Sequence, residues 1–175
     1  RVFDAAVAGL PDSADIDALL VVDADTFYMS FKDVVNPPGP LGNVEDEDIV
    51  LYDAGVWSLY FDGSDVGLGD GGNDEDVDAF EILPNGRLLI STLGNGNVPG
   101  VGGFKDEELL RCTGTFGPAT TCTWAEYFDG SDAALVADSE NVDGVSVVGA
   151  NIYLSTIGDF DTGGGNAGQG ADVFV

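Results

Sequence analysis

Histidine is absent from the 175 residues. That excludes His-dependent triads, His-ligated zinc and imidazole acid–base catalysis. Positive charge is almost absent too: five Lys and Arg stand against 32 Asp and Glu, for a net charge of −27. Nucleic acid as a partner is excluded, because phosphate binding needs Lys and Arg. Docking on an anionic membrane surface is excluded on the same ground. Long apolar runs are missing; the longest, such as Ala18 to Val22, is about five residues, so membrane insertion is not expected. No signal peptide is expected within these residues, and the first of them is Arg1 rather than Met. This start fits a removed leader or a piece cut from a longer chain.

Cysteine is scarce. Cys112 and Cys122 frame a Gly- and Pro-containing stretch that suggests a turn bringing them together. A disulfide there would stabilise the chain by roughly 2–3 kcal/mol and is expected to fasten the second repeat unit to the third. The spacing fits neither CxxC redox chemistry nor a zinc site. Disulfides persist outside the reducing cytosol, so an extracellular or cell-surface location is expected.

What the chain has in excess is carboxylate. Mutual repulsion on this scale destabilises a compact state unless cations offset it. Calcium is the expected cofactor, because the acids gather at recurring positions and calcium takes hard oxygen ligands; a halophile's solvated surface is the plainer reading.

Internal repetition decides the architecture. Tyr60-Phe61-Asp62-Gly63-Ser64-Asp65-Val66-Gly67-Leu68 returns as Tyr127-Phe128-Asp129-Gly130-Ser131-Asp132-Ala133-Ala134-Leu135, with a weaker first copy at Val2–Leu10. Trp57 and Trp124 each precede the Tyr by three residues. Three further segments follow in the same order. An acidic pair opens Asp15–Ala18, Asp76–Ala79 and Asn141–Gly144; an apolar run ends at Ser30, Ser91 and Ser155; an acid-led run begins at Glu47, Glu107 and Ala171. The period is about 60–65 residues.

Each segment is short, rich in β-branched and aromatic residues, and bounded by Gly, Pro, Asn or Asp, as strands are. Pro84-Asn85-Gly86 predicts a tight hairpin turn, and the Gly-rich stretches 94–103 and 158–170 read as loops. No stretch has helical periodicity. The expected fold is therefore all-β: one domain, residues 1–175, of three tandem four-stranded units (about 1–59, 60–126 and 127–175), with β-propeller-like blades. A β-sandwich or a threefold closed fold of β-trefoil or β-prism type is the alternative.

The Tyr-Phe-Asp-Gly-Ser-Asp motif, with its Asp-Val-Asp-Ala strand and the Arg111–Pro118 turn, resembles tandem repeats of large, mostly uncharacterised bacterial surface and secreted proteins. The resemblance spans nearly the whole chain; the first copy departs from it by lacking Gly-Ser-Asp. It implies a cell-surface location and a modular architecture, and no known reaction.

The candidate metal ligands follow the repeats. Asp74, Asp76 and Asp78 crowd one acidic stretch, and in a strand Asp76 and Asp78 would share a face. Asp15 and Asp17 are their counterparts in the first unit and Asn141 and Asp143 in the third; Glu47, Asp48, Glu107 and Glu108 are second contributors. The Asp-Gly-Ser-Asp segments read first as turns in which Gly takes an awkward dihedral. Asp161-Thr162-Gly163 matches the aspartic-protease tripeptide, but one copy cannot build the shared-proton pair such enzymes need. No catalytic centre emerges.

The expected function is that of a non-catalytic structural or adhesive protein that self-assembles into a homo-oligomer, surface layer or filament. A glycan-binding module stacking sugars on the repeated Trp and Tyr, and a calcium-dependent hydrolase, are the alternatives.

Overall fold

The computed structural model describes residues 3–69 and 75–175. Its strands are β1 (Ile16–Val21), β2 (Thr26–Phe31), β3 (Ile49–Asp53), β4 (Val56–Phe61), β5 (Ala79–Ile82), β6 (Leu88–Ser91), β7 (Gly96–Val98), β8 (Gly102–Phe104), β9 (Leu109–Thr115), β10 (Thr121–Phe128), β11 (Val142–Val148), β12 (Asn151–Thr156), β13 (Phe160–Asp161) and β14 (Ala167–Gly168). The chain is all-β and its sheets are antiparallel. β1-β2-β3-β4 form one four-stranded sheet and β5-β6-β9-β10 a second, while β11 and β12 pair as a hairpin. Phe174 adds an isolated bridge to Leu154 of β12. The helical content among the described residues is three 3-10 turns, at Ser64–Val66, Gly130–Ala133 and Asp138–Glu140.

The turn at Pro84-Asn85-Gly86 forms where expected. Gly86 takes φ +77°, a region open to glycine, and Asn85 Oδ1 accepts from the Arg87 N–H at 3.1 Å. The Gly-rich stretches differ from the expectation. Each carries a short hairpin, β7–β8 or β13–β14, because the absent side chains let two backbones pair in a confined space.

Each four-stranded sheet carries buried residues on both faces, and β6, in the middle of the second, is buried throughout, which explains why it reads Leu-Leu-Ile-Ser without alternation. Phe27, Met29, Phe31, Val50 and Trp57 fill a core on one side of the first sheet. Ala18, Ile49 and Phe61 join Phe80, Leu88, Ile90, Leu110 and Trp124 in a second core between the two sheets. Leu109, Leu135, Val142, Leu154, Phe160 and Phe174 make a third beyond the second sheet. β5 lies against both β1 and β11, so the first strands of successive sheets run side by side.

Two tryptophans close the seams between these layers. The Trp57 indole N–H donates to Ala8 O at 3.0 Å, and the Trp124 indole N–H donates to Val66 O at 3.0 Å. Ala8 and Val66 occupy matching places in the Val2–Leu10 and Tyr60–Leu68 copies, and Leu10, Leu68 and Leu135, which end the three copies, are all buried. β4 and β10 run across residues 59/60 and 126/127, so the sheets end slightly later than the boundaries drawn from the motif.

Cys112 and Cys122 form the disulfide, with Cα atoms 5.2 Å apart on neighbouring strands β9 and β10. It clamps a hairpin within one sheet and does not reach the β11–β12 pair. The tip of that hairpin leans the other way, toward residues 60–65. Phe116 packs 5.2 Å from the Tyr60 ring, and the Thr120 N–H donates to Asp65 Oδ2 at 3.0 Å.

Candidate acidic site at the meeting of the sheets

The acidic pairs that open the repeated segments come together because the strands they precede do. Asp17 lies in β1, Asp76 and Asp78 lead into β5, and Asn141 and Asp143 stand at the start of β11. Asp76 and Asp78 are not in a strand, as expected from the sequence, but in the segment just before one. Backbone bonds pin that segment: the Val77 N–H donates to Asp46 O at 3.0 Å, and the Leu93 N–H to Asp76 O at 2.8 Å. The segment before β11 is pinned alike, by Val142 N–H to Asp106 O at 3.0 Å and Ile157 N–H to Asn141 O at 2.9 Å. These bonds fix the backbone that carries Asp76, Asp78 and Asn141, all three of which are buried.

Their electrostatics is correspondingly strained. Asp78 is 3% exposed, and neither of its oxygens has a hydrogen-bond partner. Burial, then the charges of Asp17 and Asp76, push it well above the usual carboxylate range. Asp76, 2% exposed, is pushed up to about 8 by burial first and then by Asp17 and Asp46, and its Oδ1 has no partner. Asp17 shares a side-chain hydrogen bond with Asp76 and is raised by burial, with Lys32 pulling the other way. Asn141 donates its amide N–H to Leu93 O and leaves Oδ1 unpartnered. Asp143 accepts from Ser155 Oγ at 2.7 Å. Four buried acceptor oxygens thus lack donors in one region. Among the described residues no three Asp, Glu or Cys side chains are drawn in closely enough to hold a metal ion.

The other candidate ligands go elsewhere. Asp15 is exposed, and Asp74 lies outside the described residues. Asp48 is a cap: Oδ1 accepts from the Gly63 N–H and Oδ2 from the Glu45 N–H, each at 3.0 Å. Glu47 lies beneath Gly63 and Glu107 beneath Gly130, so the two Asp-Gly-Ser-Asp turns sit on matching glutamates. Glu107 pairs with Lys105 at 3.3 Å. Glu108 is raised by burial first and then by the charges of Glu126 and Asp129. Neither turn glycine needs its dihedral freedom, contrary to the sequence expectation. Gly63 has φ −69° and Gly130 is not among the positive-φ residues; the need is for space against the glutamate backbone.

Sequence reasoning counts Glu75 in the acidic stretch without giving it a role of its own, and passes over Glu140. Glu75 accepts from the Gly69 N–H at 2.8 Å and the Asn97 N–H at 3.2 Å. Glu140 accepts from the N–H groups of Val136, Ala137 and Asp161 at 2.6, 2.7 and 2.9 Å. Burial alone would raise Glu140, but these three donors outweigh it and hold the carboxyl below its usual range. Each glutamate ties a turn to the following short hairpin. The signal was available: both stand one residue before the aligned Asp76 and Asn141.

Of the repeated aromatics, Trp57 and Trp124 are each 6% exposed and held on carbonyl oxygens, while Tyr60 and Tyr127 are half-buried. Asp161 Oδ1 accepts from the Gly163 N–H at 2.9 Å, which makes Asp-Thr-Gly a turn at the tip of β13.

Glu47 and Asp48 make the fold pH-sensitive. Burial first, then the Asp46 carboxyl and nearby charge, pushes Glu47 up to about 7; burial, then Asp62 and Glu45, pushes Asp48 up to about 6 against two N–H donors. Both folded values lie above the unfolded ones of about 4. The folded state therefore holds more protons between about pH 4 and 7, and stability falls as pH rises through that window. The melting temperature in chelator should fall from pH 5 to pH 8, and Glu47→Gln should show the smaller fall. Equal falls in both proteins would remove Glu47 from the account.

Comparison with family models, with curated proteins and with solved structures finds no match.

Proposed function

We propose that this chain is a non-catalytic extracellular scaffold or adhesion module, built of three blade-like units in tandem, stabilised by calcium and able to associate with copies of itself. The observation that carries the reading is the stacking of successive sheets. Their first strands run side by side, tryptophans on the fourth strands of the two four-stranded sheets clasp the preceding turn motif, and a continuous series of apolar cores fills the space between. An arrangement of this kind is a stiff spacer whose parts serve one another.

Further features fit. The disulfide is compatible with an extracellular location. Among the described residues no helix is long and apolar enough to cross a membrane. A groove of about 420 Å³ between Phe128, Ile152, Leu154 and Phe174 has no acidic or basic side chain in its lining. Leu19, Val21 and Val22 near one end of the stack and Val148, Val173 and Val175 near the other are exposed, which suits self-association. The surplus of 27 negative charges makes that association depend on cations.

Sedimentation velocity and electron microscopy at micromolar protein, with and without millimolar calcium, test the reading. Concentration-dependent oligomers or filaments that calcium promotes are expected. A monomer under both conditions would overturn the self-assembling scaffold.

A further inference from the structure

We propose that a divalent cation, calcium by its chemistry, binds where the first strands of the sheets meet and latches them together through Asp78, Asp76, Asp17, Asp143 and the amide oxygen of Asn141. The proposal rests on the reading of the chain as a cation-stabilised scaffold, and locates the ion within it.

Acidic residues in proximity would not carry the argument. The orphaned oxygens do. Both oxygens of Asp78, Oδ1 of Asp76 and Oδ1 of Asn141 are buried without a hydrogen-bond partner. A buried acceptor that has lost water and found no donor is costly, and a buried anion far more so. Such oxygens persist where a cation takes the place of the missing donors. These come from two neighbouring elements, the segment before β5 and the start of β11, and Asp17 faces them from β1. Asp78 leads into β5, which packs against both β1, the strand of Asp17, and β11, the strand of Asp143, so its buried carboxylate stands beside those two strands.

The chemistry selects the ion. Every donor is a hard oxygen and none is His or Cys, which suits calcium, with its about six to eight oxygen ligands in adaptable geometry. Magnesium keeps its water and demands a stiff octahedron, a poor match to ligands borne on three elements. The native counter-charge is thin: Lys32 is exposed and is the basic residue acting on Asp17 and Asp76, while Asp15 and Asp46 add to the negative side. Without an ion the carboxylates repel and stand apart; a bound ion draws them in and couples the orientation of the sheets.

Calorimetric titration and thermal melting of the full chain test this, with metal stripped by chelation, calcium then added, and ionic strength held constant. Calcium about 100-fold above its dissociation constant should raise the melting temperature of the wild-type chain by about 5–10 °C. Asp78→Asn should melt in chelator at or above the wild-type temperature, because a buried carboxyl that must either stay an unpaired anion or take up a proton on folding is gone, and should lose the calcium shift. Asp143→Asn, at a less buried ligand, should bind about tenfold more weakly, and its isotherm decides the matter if Asp78→Asn fails to fold. Asp132→Asn, at an exposed acid, should keep the wild-type shift.

A full calcium shift in Asp78→Asn would overturn the site while leaving a cation-stabilised scaffold bound elsewhere. So would a chelated Asp78→Asn that melts far below wild type, since the carboxylate would then serve as an internal acceptor. A wild-type chain that assembles but does not respond to calcium would overturn the latch and leave the scaffold standing.

Discussion

Trp124→Ala should lower the melting temperature by about 10–15 °C. Truncating a buried tryptophan costs about 3–5 kcal/mol, and at this chain length each kcal/mol moves the midpoint by about 2–4 °C. Trp124 is 6% exposed and packs edge-on to Phe61 with ring centroids 6.2 Å apart, inside the core shared by the two four-stranded sheets. Its loss leaves a void there and also strips the donor from Val66 O. Trp124→Phe keeps much of the burial and loses only that bond, a change of about 1 kcal/mol plus the smaller ring. The two substitutions together separate packing from hydrogen bonding. A midpoint for Trp124→Ala within 2 °C of wild type would mean that the seam is not closed by this side chain.

Gly130→Ala should be the other damaging change, with a cost of at least about 1–3 kcal/mol from overpacking. A Cβ at Gly130 would lie 2.4 Å from the Glu107 carbonyl oxygen and 2.6 Å from its Cγ; at Gly63 the matching distances to Glu47 are 2.5 and 2.5 Å. The obstructing atoms include backbone, so no side-chain rotation relieves the contact. Conformational entropy argues the opposite way: at an ordinary dihedral, Gly→Ala stabilises by about 0.4–1 kcal/mol through the unfolded chain. The steric effect is the larger and decides the sign. Gly103→Ala is the control, because the nearest atom to its Cβ is 3.9 Å away and its φ is not positive. It should be neutral or mildly stabilising. Equal melting of Gly130→Ala and Gly103→Ala would show that the turn does not rest on the glutamate backbone.

The two glycines show where a sequence is readable and where it is not. Asp-Gly-Ser-Asp announces a turn, and a 3-10 turn with Asp62 or Asp129 capping its own neighbours is what forms. The reason for the glycine was not legible. Its cause is a residue 16 or 23 positions earlier in the chain, Glu47 for Gly63 and Glu107 for Gly130, and nothing local marks that partner. The acids divide in the same way. Their clustering before each first strand was plain, yet Asp48 and Glu107 turned out to serve as a cap and an ion pair, while Asn141, weighed little beside its charged neighbours, supplies one of the orphaned oxygens.

By itself the amino-acid sequence determined the all-β character, the hairpin at Asn85-Gly86 and the pairing of its two cysteines. It also carried the recurrence of the turn motif and a net charge of −27. These follow from local conformational preference, composition and short loops, all of which act over a few residues. Only the tertiary structure decided that the disulfide stays within one sheet, that both tryptophans are buried, and that Asp17, Asp76, Asp78, Asn141 and Asp143 stand in one region where β5 packs against β1 and β11. Those outcomes depend on which faces of distant strands pack together. Burial of that kind is settled by contacts across about 60 residues of chain, to which no single segment bears witness.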